Sequence, residues 1–210
     1  MQFFTKEAHA PVILISSSVP EEGKTFTAIN LASVFSLMGK KTILVGFDLR
    51  KPKIYTDFNI SNEHGVSTWL IGKDGLNDII KETPYKNLSL IPSGPVPPNP
   101  SELIALEKAE ELLLLLREKY ECIIIDTSPI GSISDSFRLS FLADTSILVV
   151  RQNFTFKNLL EGTLNELKIT NVKSLSLLVN DIDHNGKFYG YEGKYGYGYK
   201  KGNKKGKAVD

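Results

Sequence analysis

VILISSSVPEEGKT, residues 12–25, joins an apolar, β-branched run to a loop and then to the first turn of a helix. Within it, Ser18-Val19-Pro20-Glu21-Glu22-Gly23-Lys24-Thr25 has the spacing of a phosphate-binding loop of the Walker A type, with serine in place of the leading glycine. The physical logic is local. A strand delivers the chain to one edge of a sheet, the loop presents backbone N–H groups, and the helix adds the unpaired N–H groups of its first turn. Together these donors suit the oxygens of a polyphosphate. Lys24 is placed to neutralise β- and γ-phosphate oxygens, and the Thr25 hydroxyl to ligate Mg2+. GKT alone is common by chance, but here it follows VILISSS directly and opens an amphipathic helix, the context the chemistry needs. Glu22, Gly23, Lys24, Thr25 and Phe26 are therefore the candidate nucleotide-binding residues of the loop.

Outward from this loop, short apolar runs alternate with helical patterns. Val12–Ser16, Thr42–Phe47, Leu88–Ile91, Cys122–Asp126, Ile147–Val150 and Leu175–Asn180 read as strands, apolar with little alternation, as expected of strands covered on both faces. Lys24–Met38 reads as a helix with Ala28, Leu31, Ala32 and Phe35 on one face and Gly39 as its stop. Ser101–Tyr120 reads as the longest helix, with Leu106, Ala109, Leu113 and Leu116 as its core stripe, and Phe156–Ile169 as a third. This order predicts an α/β fold: a mostly parallel central sheet with helices on both faces. SGPVPPNP, residues 93–100, reads as a stiff loop within that domain.

The chain has 210 residues and a formal net charge of +1, fitting one globular domain rather than several. The expected division is a domain over 1–183 and a Gly/Tyr/Lys-rich tail over 184–210. Five of the eight tyrosines, Tyr189, Tyr191, Tyr195, Tyr197 and Tyr199, fall in that tail among glycines and seven lysines. Glycine adds no side chain to a core and raises the cost of ordering, so the tail reads as flexible. Two readings fit it: a low-complexity solubility tail, or phenols presented to another site. The lone cysteine, Cys122, sits in the apolar run CIIID and reads as a buried structural thiol. His9, His64 and His184 have no partners at metal-ligand spacing and read as surface residues. The apolar runs are too short for a membrane span.

Two carboxylates close strands. Asp126 ends CIIID, where a carboxylate can hold Mg2+, although such an aspartate can also simply cap a turn. Asp48 ends ILVGFD. In a parallel sheet all C-terminal strand ends share one edge, so Asp48, Asp126 and the phosphate loop should converge there. Arg50 and Lys51 follow, either as positive charge near a transferring group or as a solvated basic turn.

GKTFTAINLA, DLRKPK, SGPVPPNPSEL and IIIDTSPIGSISD occur in this order. In sequence and spacing the chain resembles the bacterial tyrosine kinases, or BY-kinases, the cytoplasmic domains of polysaccharide co-polymerases that control capsule and exopolysaccharide export. The resemblance covers nearly the whole chain, and GPVPPNPSEL is its most specific piece. It implies a P-loop NTPase fold that uses ATP and Mg2+ to phosphorylate protein tyrosine. Lys24 and Thr25 match the Walker A residues, Asp48 the second carboxylate of the motif called Walker A′, and Asp126 the Walker B carboxylate. Lys24, Asp48, Arg50 and Asp126 are the candidate catalytic residues, and Thr25, Asp48 and Asp126 the candidate metal ligands. Asn180 matches an asparagine near the adenine base, although a turn with Asp181 also accounts for it. The tail tyrosines match a cluster autophosphorylated in trans between subunits of a ring. The implied partners are further copies of the chain, a membrane-anchored portion or activator, the polysaccharide export machinery and a tyrosine phosphatase, with no nucleic acid. The implied location is cytoplasmic, at the inner face of the plasma membrane.

Three departures stand out. Gly46 occupies the place of the first Walker A′ aspartate, leaving Asp48 to supply that carboxylate alone. The family's ring-forming Glu/Arg motif lies on a helix just before this start, and MQFFTKEA reads as the end of that helix. The family's transmembrane helices, or a separate activator, are not in this sequence. Partitioning and division-site ATPases form the nearest rival, but they carry a second lysine early in the loop where this chain has Val19. A further alternative is an ATP-dependent assembly module with little phosphotransfer, which Gly46 motivates.

Overall fold

The computed structural model describes residues 10–104, 107–130, 135–169 and 172–183. Their elements follow one another as β1 (Val12–Ser17), α1 (Lys24–Leu37), β2 (Thr42–Gly46), α2 (Ile54–Asp57), α3 (Val66–Leu70), α4 (Leu76–Ile79), β3 (Lys81–Glu82), β4 (Leu88–Ile91), α5 (Pro100–Ile104), α6 (Glu107–Lys119), β5 (Cys122–Asp126), α7 (Asp135–Leu142), β6 (Thr145–Arg151), α8 (Lys157–Ile169) and β7 (Leu175–Asn180). The strands form one sheet in the order β3-β4-β2-β5-β1-β6-β7. Every pairing is parallel except β3 with β4.

The six strands expected from apolar runs are all present, within two residues at each end. Both faces of the central strands are covered, which explains their unbroken hydrophobicity. On one face Val12, Leu14, Val45 and Ile125 pack with Trp69, Leu112, Leu116 and Leu139. On the other, Ile13, Ile15, Leu44 and Ile124 pack with Ala28, Ala32 and Ile54. The small residues Ala28 and Ala32 let α1 lie close to the sheet beneath the loop that precedes it. Helix α1 ends as expected at Gly39, whose φ of +84° closes the helix. There the N–H of Gly39 donates to the Ser36 carbonyl and that of Lys40 to the Phe35 carbonyl.

Several elements differ from the sequence reading. The region expected as one helix over 101–120 is described as α5 and α6, with 105–106, and hence Leu106, outside the described residues. The buried stripe of α6 includes Leu112 besides Ala109, Leu113 and Leu116. The short helices α2, α3 and α4 and the two-residue β3 were not expected, and neither was α7. Residues 184–210, including the tyrosine cluster, lie outside the described residues, so the division at Asp183 is untested. Among the described residues no helix is long and apolar enough to cross a membrane. His64, read as a surface residue, is half-exposed, and its Nδ1 lies 2.8 Å from Asp74 Oδ2.

Candidate active site

Strands β1, β2, β5, β6 and β7 end at one edge of the sheet, and the candidate residues gather there. The loop after β1 turns through Glu21, at φ +69°, and Gly23, at φ +95°, before α1 begins at Lys24. No side chain caps α1, so the first-turn N–H groups remain available to an anion. Glu22 is wholly buried and braces the loop. Its carboxylate accepts the Val19 N–H at 2.9 Å and also the Thr155 hydroxyl. From the far side, Asn180 Nδ2 donates to the Glu22 carbonyl at 3.0 Å and sits close against Gly23. A side chain at Gly23 would collide with that amide, so glycine here meets both a positive φ and a close approach.

Lys24 connects the loop to the carboxylates. Its Nζ lies 3.2 Å from Asp48 Oδ2 and 3.8 Å from Asp126 Oδ1, and 3.2 Å from Thr25 Oγ1. The Thr25 hydroxyl donates to Asp126 Oδ2 at 2.9 Å. Asp48 turns its other oxygen, Oδ1, to the backbone N–H groups of Arg50 at 3.3 Å and Lys51 at 3.1 Å. That contact fixes the start of the basic turn and aims Oδ2 at Lys24. Arg50 extends its exposed guanidinium to Ser101, its Nη2 donating to Oγ at 2.8 Å. Phe26 lies on the outer face of α1, 65% exposed.

The electrostatics follow from burial. Asp126 is buried at the end of a central strand, and desolvation pushes its carboxyl from the ordinary 3.8 up to about 6. The Lys24 ammonium and the Thr25 hydroxyl pull the other way, and Asp48 raises it further. Burial likewise drives the Cys122 thiol up to about 12, in keeping with an inert thiol in the core.

Asp126 Oδ1 is buried without a hydrogen-bond partner. Lys24 Nζ meets this oxygen only as an ion pair at 3.8 Å, and a buried carboxylate oxygen without a hydrogen bond is costly unless a cation or water completes it. Among the described residues no group of three or more His, Cys, Asp and Glu could cage a metal. Thr25, Asp48 and Asp126 instead fit Mg2+, which binds through one or two carboxylates, waters and substrate phosphates.

The sequence reading thus placed Glu22, Gly23, Lys24, Thr25, Asp48 and Asp126 in one site, and the geometry brings them together. Asn180 also arrives, against the rim of the loop. Arg151 and Thr155 were missed, although both touch the loop. Arg151 Nη1 approaches the Glu21 carbonyl at 3.4 Å and its Nε donates to Asp181 at 2.9 Å. Neither carries a motif, because their role depends on β6 ending beside β1.

Known proteins share this chain's sequence and fold. Residues 11–178 match a family model described as an AAA domain. The chain is 34% identical over 197 residues to the tyrosine-protein kinase YwqD of Bacillus subtilis, covering 94% of this chain and 81% of the relative. It is 31% identical over 182 residues to the tyrosine-protein kinase etk of Escherichia coli, covering 87% of this chain but only 25% of that longer protein. The solved kinase domain of that Escherichia coli kinase superposes with a TM-score of 0.80 at 31% identity, over 88% of this chain and 73% of the other. The septum site-determining protein MinD of Pyrococcus horikoshii, solved with Mg-ADP, shares the fold at a TM-score of 0.68 and 21% identity, over 80% of this chain and 69% of that one.

Proposed function

This chain belongs to the bacterial tyrosine-protein kinases, within the AAA-domain family, and from that premise we propose that it binds MgATP at the phosphate loop and phosphorylates tail tyrosines of a neighbouring copy. The observation that carries this reading is Lys24, whose ammonium lies between Asp48 and Asp126 at the mouth of the loop. An arriving polyphosphate competes for that ammonium. Lys24 then turns from the carboxylates to the β- and γ-phosphate oxygens, while the loop and first-turn N–H groups cradle the rest. Thr25, Asp48 and Asp126 would hold Mg2+, which when bound supplies further neutralisation of the phosphate oxygens.

The chemistry is an in-line displacement. A tyrosine oxygen bonds to the γ-phosphorus, the bond to the β,γ-bridging oxygen breaks, and ADP leaves. A phenol with an ordinary pKa of about 10 is a poor nucleophile at neutral pH, and Asp48 orients its hydroxyl and accepts its proton. Arg50 lends positive charge to the same edge. The substrates are Tyr189, Tyr191, Tyr195, Tyr197 and Tyr199. Six residues link Asp183 to Tyr189, a tether of roughly 20 Å when extended, and transfer between copies in a ring is the arrangement the family resemblance supports. In this reading the chain works at the inner face of the plasma membrane with a membrane-anchored portion or activator. Its phosphorylation state, reset by a phosphatase, regulates capsule or exopolysaccharide synthesis and export.

Mixing a Lys24→Met chain with a chain truncated after Asp183, in ATP and Mg2+, tests the transfer. Phosphotyrosine on the K24M tail supports transfer in trans, and its absence contradicts it. A second reading, an ATP-dependent assembly module with little phosphotransfer, is favoured by Gly46 in place of a carboxylate. ATP-dependent assembly without phosphotyrosine would distinguish it.

A further inference from the structure

Gly46 is the register partner of Asp126 in the neighbouring strand, so a side chain there would project on the same sheet face, beside the Asp126 carboxylate. That room is already taken. A Cβ built on Gly46 would lie 2.8 Å from Ser93 Oγ, 3.2 Å from the Ser93 backbone nitrogen and 3.1 Å from Ile54 Cγ2. Ser93 follows β4 and is 1% exposed, and its hydroxyl has no hydrogen-bond partner. The segment carrying it is stapled to the chain around α3. Val66 N–H donates to the Pro92 carbonyl and Ser67 N–H to the Ser93 carbonyl, each at 2.9 Å. Asn62 pairs with both backbone groups of Gly94, at 2.7 and 2.9 Å. The backbone that carries the hydroxyl is therefore held in place beside Gly46.

Ser18 Oγ, Ser93 Oγ and Asp126 Oδ1, three buried oxygens around this edge, thus lack hydrogen-bond partners, and Asp126 Oδ1 has the ion pair with Lys24 at 3.8 Å. Buried polar groups are ordinarily satisfied, and an unsatisfied one destabilises the fold that contains it. A hydroxyl kept in that state beside a candidate Mg2+ site is suited to accept a hydrogen bond from a water of the ion, which retains several waters when bound to proteins. We propose that Ser93 is a positioning residue for the Mg2+–nucleotide complex, its hydroxyl accepting from a metal-bound water across Gly46, where a side chain would displace that hydroxyl. The proposal rests on the MgATP reading of the site. It also accounts for Gly46, since any larger residue displaces the hydroxyl.

The test measures ADP affinity by calorimetry in Mg2+ and in EDTA, with apo melting temperatures, for the wild type and Ser93→Ala. The expected S93A protein melts no lower than the wild type without ligand, because an unsatisfied group has been removed. Its affinity in EDTA is unchanged, while the gain that Mg2+ confers falls about 10-fold, as for other residues that orient metal ligands. Gly46→Ala, which keeps the hydroxyl but pushes it aside, is expected to lose the same gain. An S93A protein that keeps the full Mg2+ gain overturns the proposal, as does one whose affinities in Mg2+ and in EDTA fall equally. A wild type whose ADP affinity ignores Mg2+ overturns the nucleotide reading and this proposal together.

Discussion

Lys24 Nζ lies 3.2 Å from Asp48 Oδ2, so the cation of the phosphate loop and the carboxylate closing β2 neutralise each other until a polyphosphate competes. Lys24→Met leaves Asp48 and Asp126 facing each other without that cation. Both side chains of the pair are largely buried, at 13% and 10% exposure, so the loss should cost the apo protein roughly 2 kcal/mol in urea unfolding at neutral pH. Phosphotransfer should fall by at least about 100-fold, the scale for losing one preorganised charge contact. An apo stability equal to the wild type would contradict the pairing.

Asp126 gives the site a pH signature. Burial raises its folded-state pKa to about 6, above the ordinary 3.8, so the folded protein binds this proton more tightly than the unfolded chain does. Its contribution to stability is therefore present at low pH and lost as pH rises through the folded value. The loss is on the order of 3 kcal/mol between about pH 4 and pH 6. Asp126→Asn should remove that slope, which urea unfolding in EDTA across this range would reveal as a converging difference from the wild type. Mg2+ requires the ionised carboxylate, so stabilisation of the wild type by Mg-ADP should fade below about pH 6.

Glu21 holds φ at +69° in an exposed turn of the loop. A left-handed conformation costs an L-residue about 1 to 2 kcal/mol, and glycine avoids this while adding entropy to the unfolded chain. Glu21→Gly should therefore leave the protein as stable or up to about 1 kcal/mol more stable, with ADP affinity preserved. Denaturation midpoints compared with those of Glu21→Ala, which keeps the strain, would measure the difference.

Thr155 ties the start of α8 to the loop, since its oxygen accepts the Arg151 N–H at 2.8 Å and its hydroxyl donates to Glu22. Thr155→Ala leaves the buried Glu22 carboxylate with Val19 and should destabilise the protein by about 2 kcal/mol. ADP affinity should weaken several-fold as the brace loosens. Unchanged stability and affinity would mean that Glu22 finds another donor.

The sheet was legible because its inner strands are buried on both faces and so read as unbroken apolar runs, while β7 at the edge read as apolar although Leu177 and Val179 are half-exposed. Lys81–Glu82 was not, because a two-residue antiparallel edge strand has no pattern to read. Helices α2, α3 and α4 are only four or five residues long, too short to show a 3.6-residue period. At the site, Lys24, Asp48 and Asp126 were legible from strand-end logic, since parallel strands bring their C-terminal ends to one edge. Thr155 and Arg151 were not, because their contacts come from the tertiary placement of β6 beside β1. Ser93 stood within the quoted SGPVPPNPSEL stretch, but nothing in sequence indicated that its hydroxyl lies over Gly46.

The central claim, that this site phosphorylates the tail, is tested most directly by incubating the chain with ATP and Mg2+ and mapping phosphotyrosine by mass spectrometry beside Lys24→Met. The account predicts modification among Tyr189, Tyr191, Tyr195, Tyr197 and Tyr199 in the wild type and none in K24M alone. A wild-type tail carrying no more phosphate than that of K24M would contradict it.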